Sequence, residues 1–237
     1  MLASILVGLY GNYPKLSLRA IDSLITPNHE FPIYVGMNDC CIETKIHVRN
    51  LLDEGLIDAV VDSSRNINKD PMMRILLELV QTPFLIWLDD DSHMFSGWDS
   101  CFKDYLIKYG PHLDVAGHLF QFVRQYEPEL QLYEDFARKR PWFVTEEVWK
   151  DPHIFPMGAL WLARTSFLRK NDYPDRAMIK KMADILVGEL VMQQKARLFP
   201  FDEEIMKYIA INDDIGYGRR GKEDLWKEID LKTGQVR

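Results

Sequence analysis

The sequence from residue 84 to residue 93 reads FLIWLDDDSH. An apolar run typical of a buried strand leads directly into consecutive aspartates, which a serine and a histidine follow. A solvated acidic turn is the simplest explanation of such a run. The alternative is a cation site, because hard divalent cations prefer carboxylate oxygens and manganese-like metals also accept imidazole.

The residues before this stretch alternate between strand patterns and helix patterns. Apolar runs at 4–9, 31–37 and 57–64 have the character of buried strands. Helical periodicity separates these runs, and a further helical pattern with Pro71 near its start precedes residue 84. Strands and helices that repeat in this order predict a mainly parallel central sheet with helices on both faces.

Polar clusters follow the predicted strands at the point where each strand ends. In an open α/β sheet, ligands bind beyond the carboxyl ends of the strands. The clusters are Tyr10 to Asn12 after the first strand, Asn38 and Asp39 after the second, Ser63 to Asn66 after the third, and Asp89 to Asp91 after the fourth. No GxGxxG motif follows the first predicted strand, which argues against a dinucleotide fingerprint, and the sequence has no GxxxxGK[ST] motif, which excludes a P-loop.

The pattern is less regular after Gly97. We expect a helix over residues 99–109, an irregular or mixed region over 110–157, a short strand over 159–163 and an amphipathic helix over 178–195. The length of 237 residues suits one α/β domain.

Composition limits the classes of protein to consider. The formal net charge of -7 argues against broad nucleic-acid binding, although Arg219, Arg220 and Lys222 form a local basic patch. The three cysteines include no CxxC pair, which argues against a zinc site and a disulfide framework. No apolar run reaches the roughly 18 residues of a membrane span, and the N-terminus lacks a basic signal region. We therefore expect a soluble, cytoplasmic protein.

The order of elements over residues 3–100 resembles that of the nucleotide-sugar glycosyltransferases with the GT-A fold, in particular family 2. The segments SILVGLYGN, IYVGMNDC, SSRNINKDPMMR and FLIWLDDDSHM carry this resemblance. Asp91-Ser92-His93 followed by Gly97-Trp98 also resembles the D-x-H motif of polypeptide N-acetylgalactosaminyltransferases. The resemblance implies a single GT-A (Rossmann-like) domain, α/β in class, with a less regular C-terminal acceptor lobe. Residues 1–98 would bind the nucleotide sugar and residues 99–237 the acceptor.

The resemblance also implies a metal and a set of donor-binding residues. Asp89, Asp91 and His93 would hold Mn²⁺ or Mg²⁺ on the diphosphate of the donor, a UDP-sugar. The implied donor-binding residues are Leu9, Tyr10 and Gly11 around the base, Asp39 at the edge of the base, Asn66, Lys69 and Arg74 in the donor pocket, and Asp89 and Asp90 at the acidic cluster. The family's D-D-G-S segment is replaced by Asn-Asp-Cys-Cys, and the glycine of the third loop is missing, which leaves the identity of the base open.

The second half supplies candidates for catalysis and for closing the site. The segment KMADILVGEL resembles the late E-D-x-x-L segment of the family, which implies that Asp184 is the catalytic base. Gly158 and Trp161 lie in a segment that resembles the loop beneath the donor sugar, with core packing as the alternative for Trp161. Arg219 and Arg220 would close over the diphosphate, with a solvated tail as the alternative.

These residues together predict a metal-dependent glycosyltransferase, a hexosyl- or pentosyltransferase, that acts on a hydroxyl acceptor. The acceptor classes left open are a glycan, a protein, a small molecule and a modified nucleic-acid base. The resemblance of Asp91-Ser92-His93 to the D-x-H motif implies retention of configuration at the anomeric carbon, whereas the match at Asp184 implies inversion. We favour inversion. The alternatives are a nucleotidyltransferase and a non-catalytic module that binds a sugar nucleotide.

Overall fold

The computed structural model describes residues 1–26, 30–122, 130–144, 153–176 and 183–210. The first part of the chain alternates strands and helices: β1 (Ala3–Tyr10), α1 (Pro14–Asp22), β2 (Ile33–Asn38), α2 (Ile42–Asp53), β3 (Ala59–Ser63), α3 (Lys69–Leu79) and β4 (Phe84–Asp89). The second part is mixed: β5 (His93–Met94), α4 (Trp98–Tyr109), β6 (Val115–Phe122), α5 (Leu130–Ala137), β7 (His153–Arg164), α6 (Thr165–Lys170), α7 (Ala183–Gln193), β8 (Leu198–Pro200), α8 (Glu203–Met206) and β9 (Ile209–Ala210).

Among the described residues, the central sheet has seven strands in the order β3-β2-β1-β4-β7-β6-β8. Strands β1 to β4 run parallel to one another, β7 is antiparallel to both β4 and β6, and β8 is parallel to β6. A separate pair joins β5 to β9. The α/β class and the mostly parallel central sheet flanked by helices are therefore confirmed.

Each face of the sheet buries its own hydrophobic core. One core joins alternate residues of β1, such as Ile5 and Val7, to α1, α2 and α4. The other joins Leu6 and Trp87 to α3, α6 and α7. The alternation follows from the period of two in a strand, which sends neighbouring side chains to opposite faces. Burial on both faces explains why the strands read as nearly continuous apolar runs.

Strand β7 starts well before the short strand expected over 159–163 and extends into the region expected to be irregular or mixed. The strand begins at His153, although Pro156 and Gly158 interrupt its apolar pattern. The pairing of β6 with β7 shifts its register between Gly117 and Leu119, and Pro156 lies opposite Leu119. Proline is tolerated in sheets at such irregularities, because they leave backbone donors unpaired. The shift therefore lets the strand continue through the proline.

Other elements agree with the sequence to within a few residues. The helix expected over 99–109 is α4, and the short strand expected over 159–163 is the end of β7. Of the helix expected over 178–195, residues 178–182 lie outside the described part of the chain, and α7 occupies most of the rest. Within the described residues, no helix has both the length and the apolar character needed to span a bilayer.

Candidate functional site

A network of amides connects the carboxyl ends of the first three strands. Asn38, the last residue of β2, donates from Nδ2 to Asn66 Oδ1 over 3.1 Å and accepts from the backbone N–H of Ile67 over 2.8 Å. Asn66 in turn donates from Nδ2 to the hydroxyl of Tyr10, 3.2 Å away. The loop between β3 and α3 is therefore fixed against the ends of β1 and β2.

The backbone at Asn68 is strained, and it leads directly into α3. Asn68 has φ 70° and ψ 168°, a region that is nearly restricted to glycine. Its N–H donates to Asn66 Oδ1 over 2.8 Å. Asn68 is thus the position where the third loop takes a glycine-like conformation without a glycine. The turn places Lys69 at the first residue of the helix.

Lys69 connects two strands of the sheet. Its ammonium donates to Asp89 Oδ2 at the end of β4 over 2.8 Å, and to the carbonyl oxygen of Gly158 in β7 over 2.6 Å. It also lies 5.5 Å from the ring centroid of Trp87. The indole N–H of Trp87 donates to Asp89 Oδ1 over 2.6 Å. Both oxygens of Asp89 therefore accept a hydrogen bond from the protein itself.

Asp184 reaches the same place from α7. A Cβ atom built on Gly158 would lie 2.7 Å from Asp184 Oδ2, a distance that real Cβ atoms do not tolerate. The carboxylate therefore fills the space that a side chain at residue 158 would need. Asp184 is half-buried. The predicted base and the predicted sugar-side glycine are thus neighbours, and Lys69 joins them to the acidic cluster.

The acidic cluster divides its three carboxylates between different surroundings. Asp90 is buried and accepts from the backbone N–H of Tyr10 over 3.2 Å, which ties β4 to β1. Asp91 is half-buried in the turn after β4. His93 is buried in β5, and its ring lies edge-on to Phe95 with 5.1 Å between the centroids.

No three His, Cys, Asp or Glu side chains within the described part of the chain are arranged to hold a metal ion. The assignment of Asp89, Asp91 and His93 as metal ligands stays a prediction.

Electrostatics favour a charged ammonium at Lys69. Burial lowers the pKa of Lys69, but the carboxylates of Asp89 and Asp184 outweigh it and raise the pKa above the ordinary lysine value. Burial raises the pKa of Asp89, and the ammonium of Lys69 limits that rise. The positive charge of Lys69 is thus stabilised by the carboxylate of Asp89 at the end of β4 and by that of Asp184 on α7.

The remaining predicted residues occupy several different places. Leu9 is fully buried in the core, and Asp39 is exposed at the end of β2 with a left-handed φ of 58°. Trp161 is fully buried opposite Trp87, the core-packing position left open by the sequence. The guanidinium of Arg74 donates to Asp172 Oδ1 over 2.7 Å and to the carbonyl of Pro174 over 2.8 Å.

Arg219 and Arg220, which are expected to close over the diphosphate, lie outside the residues that the structure describes.

Gly11, a predicted donor-binding residue, lies in the loop directly after β1. It has a left-handed φ of 67°, and its N–H donates to the carbonyl of Asn38 over 3.2 Å. Gly11 thus lies beside the amide network at the ends of β1 and β2.

Sequence reasoning missed two residues that organise this region. Asn38 was seen only as part of a polar exit, yet it joins two loops. Trp87 was seen only as part of an apolar run, yet its N–H fixes Asp89. The period of two in β4 was the available signal for Trp87, because residues two apart share a face of the strand.

Comparison with known proteins gives structural matches only. No family model matches the chain, and no curated protein matches it by sequence. TarS from S. aureus matches with a TM-score of 0.62 and 15% identity over 96% of this chain and 38% of TarS. One TarS structure is in complex with UDP-GlcNAc. This chain therefore spans well under half of the length of TarS.

Two other solved structures widen the comparison. The mannosyltransferase PcManGT from Pyrobaculum calidifontis, in complex with GDP-Man and Mn²⁺, matches with a TM-score of 0.58 and 14% identity over 91% of this chain and 58% of that one. CMP:2-keto-3-deoxy-manno-octonic acid synthetase, complexed with CTP, matches with a TM-score of 0.52 and 12% identity over 95% of this chain and 97% of that one. With the strand order above, these likenesses show that the chain has the GT-A fold of nucleotide-sugar transferases.

Proposed function

We propose that the protein is a glycosyltransferase that moves a sugar from a nucleotide-sugar donor, a UDP-sugar, to a hydroxyl acceptor. The observation that carries this proposal is the meeting of Asp89, Lys69, Gly158 and Asp184. A carboxylate at the end of a parallel strand lies in the region where open α/β sheets bind ligands. A second carboxylate, Asp184 on helix α7, lies close to the same lysine, where a reaction between a bound donor and an acceptor needs a base.

The donor set near Asp91 suits a divalent cation that the substrate helps to hold. Mg²⁺ is commonly bound by one or two carboxylates together with substrate phosphates, and three protein ligands are not needed. We assign Mn²⁺ or Mg²⁺ first to Asp91, which is half-buried in the turn directly after β4. Asp89 would join the ligands through a lone pair that its hydrogen bonds to Lys69 and Trp87 leave available, and His93 would have to turn out of its buried position. When bound, the cation would supply positive charge to the leaving diphosphate.

The residues of the chain have distinct roles in the proposed transfer. The base of the donor would lie near Tyr10, Gly11 and Asp39, and the loop at Asn66 would line the donor site. In the reaction, the acceptor oxygen forms a bond to the anomeric carbon, and the bond from that carbon to the diphosphate oxygen breaks. The electron pair of the broken bond leaves with the nucleoside diphosphate. Asp184 takes the proton of the acceptor hydroxyl as a general base, which gives inversion at the anomeric carbon.

A nucleotidyltransferase is the second candidate. The match to the CTP-complexed synthetase covers nearly all of both chains, and this favours the alternative. The loop after β1, Tyr10 to Lys15, has a single glycine, whereas that class usually has a glycine-rich basic loop there. A nucleotidyltransferase would join a nucleoside triphosphate to a sugar or sugar phosphate and release pyrophosphate. A glycosyltransferase would instead release a nucleoside diphosphate from a nucleotide sugar.

The test is a thermal-unfolding screen followed by a turnover assay. The protein is heated with Mn²⁺ and, in turn, UDP-GlcNAc, UDP-glucose, GDP-mannose and CTP. A ligand at about 100 times its Kd stabilises the folded state by about 2.7 kcal/mol, which gives a clear rise in Tm. We expect one nucleotide sugar to raise Tm in a Mn²⁺-dependent way and to release its nucleoside diphosphate slowly through hydrolysis. A response to CTP alone, with pyrophosphate release, would favour the second candidate.

Asp91→Asn is the informative variant in this screen, and Asp53→Asn is its matched control. Asp53 is exposed at the end of α2 and lies outside the site. We expect Asp91→Asn to remove the Mn²⁺-dependent part of the Tm rise and Asp53→Asn to retain it. An unchanged Mn²⁺ response in Asp91→Asn would contradict the assignment of the cation to this carboxylate.

A further inference from the structure

We propose that Lys69 is a positioning residue that holds Gly158, and through it Asp184, at a fixed place relative to the acidic cluster at the end of β4. This inference rests on the proposed function, because it concerns the base of that reaction. It differs from the sequence-based expectation, in which Lys69 binds the donor directly. The difference has consequences that can be measured.

Lys69 lies at a backbone position that its neighbours in the chain hold firmly. It is the first residue of α3, and the strained backbone of Asn68 precedes it. The amide network through Asn66 fixes that loop to β1 and β2. The side chain therefore starts from a backbone position that the donor half of the sheet determines.

The ammonium of Lys69 is committed to protein acceptors. An ammonium has three N–H donors, and two of them reach Asp89 Oδ2 and the carbonyl of Gly158. Only 24% of the Lys69 side chain is exposed, and 25% of the Asp89 side chain. A lysine whose main role was to bind a diphosphate would need more of its donors directed at the ligand. The observed bonds instead join β4 to β7 across the site.

Gly158 in turn lies against the proposed base, Asp184. Asp184 Oδ2 lies so close to Gly158 that no side chain fits between them. A movement of the backbone at Gly158 must therefore move Asp184 or open a gap beside it. By holding the carbonyl of Gly158, Lys69 limits that movement. Misplacement of a reacting group by about 1 Å is enough to cost roughly 100-fold in rate.

The test is a double-mutant cycle with Lys69→Met and Asp184→Asn. The rate of nucleoside diphosphate release is measured with each of UDP-GlcNAc, UDP-glucose and GDP-mannose in the presence of Mn²⁺. Enzyme is kept in excess over donor, so that slow variants still give a rate. The Kd of UDP with Mn²⁺ is measured separately for each variant by calorimetry.

We expect Lys69→Met to lower the rate at saturation by about 10-fold and to leave the Kd of UDP within about twofold, since the residue acts on placement of the base. Asp184→Asn should lower the rate by about 100-fold or more. In the Asp184→Asn background, Lys69→Met should cause little further loss, because residues that act as a unit are not additive. Lys69→Gln, which keeps a shorter donor, replaces Lys69→Met if the latter does not fold.

Lys45→Met is the matched control. Lys45 also pairs with an aspartate, Asp62, over 2.8 Å and is similarly exposed at 19%, but it joins α2 to β3 outside the site. It should change neither the rate nor the Kd of UDP.

Two results would overturn the inference alone. One is an equal loss from Lys69→Met with and without Asp184, and the other is weaker UDP binding with an unchanged rate at saturation. If the unaltered protein released no nucleoside diphosphate from any of the three donors, the proposed function would fail, and the inference would fail with it.

Discussion

The two halves of the sheet position their candidate residues by different means. In the half built from β1 to β4, the candidate residues lie at or just after the end of a parallel strand. Amide hydrogen bonds such as those of Asn38 and Asn66 hold the loops there in place. In the other half, Gly158 lies inside a strand and Asp184 lies in the first turn of a helix packed on it. The first half therefore depends on local loop geometry, and the second depends on packing between a strand and a helix.

The contrast has a physical reason. In parallel strands the carboxyl ends meet at one edge, so that loops there are close in space whatever their sequence. Strand β7 runs antiparallel to both of its neighbours, and no such edge rule applies to its residues. The residues of this half are instead positioned by close packing of β7 against α7. Gly158 and Gly188 lie at this contact because a Cβ atom at either residue would clash with the opposite element.

The sharpest way to test the comparison is to substitute these two glycines in parallel. Gly158→Ala would push against Asp184 Oδ2, a side-chain atom that can move, from 2.7 Å. We expect a loss of roughly 100-fold in the rate of donor hydrolysis, since the base is displaced, and little change in Tm. The measurements are nucleoside diphosphate release and thermal unfolding.

Gly188→Ala is the partner variant in that test. Its Cβ would meet Phe155 Cβ at 2.7 Å and the carbonyl oxygen of Ile154, which belongs to a backbone that cannot easily yield. Overpacking of this kind costs about 1–3 kcal/mol, so that Tm should fall clearly. If Gly158→Ala lowered Tm as much as Gly188→Ala while the rate at lower temperature stayed normal, Gly158 would be a packing glycine only.

The pH dependence of stability gives a second test of the half built around β7. Burial lowers the pKa of His153 to about 4 from an ordinary value of 6.5, and a hydrogen bond from its ring to the carbonyl of Ile185 opposes the shift. Because the folded state holds this histidine neutral, its contribution is complete above pH 6.5 and is lost as the pH falls towards 4. Between about pH 7 and about pH 5 the loss amounts to about 2 kcal/mol.

His153→Phe should remove this loss. The variant is expected to be less stable near neutral pH by about 1 kcal/mol, because the ring no longer donates to Ile185. Its free energy of unfolding, measured with urea at a series of pH values, should fall less steeply below pH 6.5 than that of the unaltered protein. Parallel curves for the two proteins would show that His153 is not the group responsible.

The smallest expected effect tests the half built from β1 to β4. Asn68→Gly should relieve the strain at φ 70° and ψ 168°. Strain in this region costs about 1–3 kcal/mol, and glycine loses about 0.5–1 kcal/mol through its greater freedom in the unfolded chain, so that a net gain of about 1 kcal/mol is expected. Urea unfolding measures it, with Asn68→Ala as the control that should keep the strain. A lower stability for Asn68→Gly would indicate that the asparagine side chain is needed.

The two halves also differ in how well the sequence predicts them. Strands β1 to β4 and their exits follow from apolar runs and polar clusters, and the predicted edge does bring Tyr10, Asn66 and Asp89 to one region. The pairing of β7 does not follow, because Pro156 breaks the apolar pattern and only the shifted register with β6 accommodates it. The sequence also does not predict that Lys69 bonds to both β4 and β7, since its partners Asp89 and Gly158 are 20 and 89 residues away.

The alternation of strands and helices, the mainly parallel sheet and the edge where polar residues collect all follow from the sequence alone, because side-chain periodicity and strand exits are local properties of the chain. Three contacts became apparent only in the folded structure: Asp89 is held by Lys69 and Trp87, Asp184 lies against Gly158, and Trp161 is in the core. Those contacts depend on which distant segments pack together, and packing of distant segments leaves no periodic signal in the sequence.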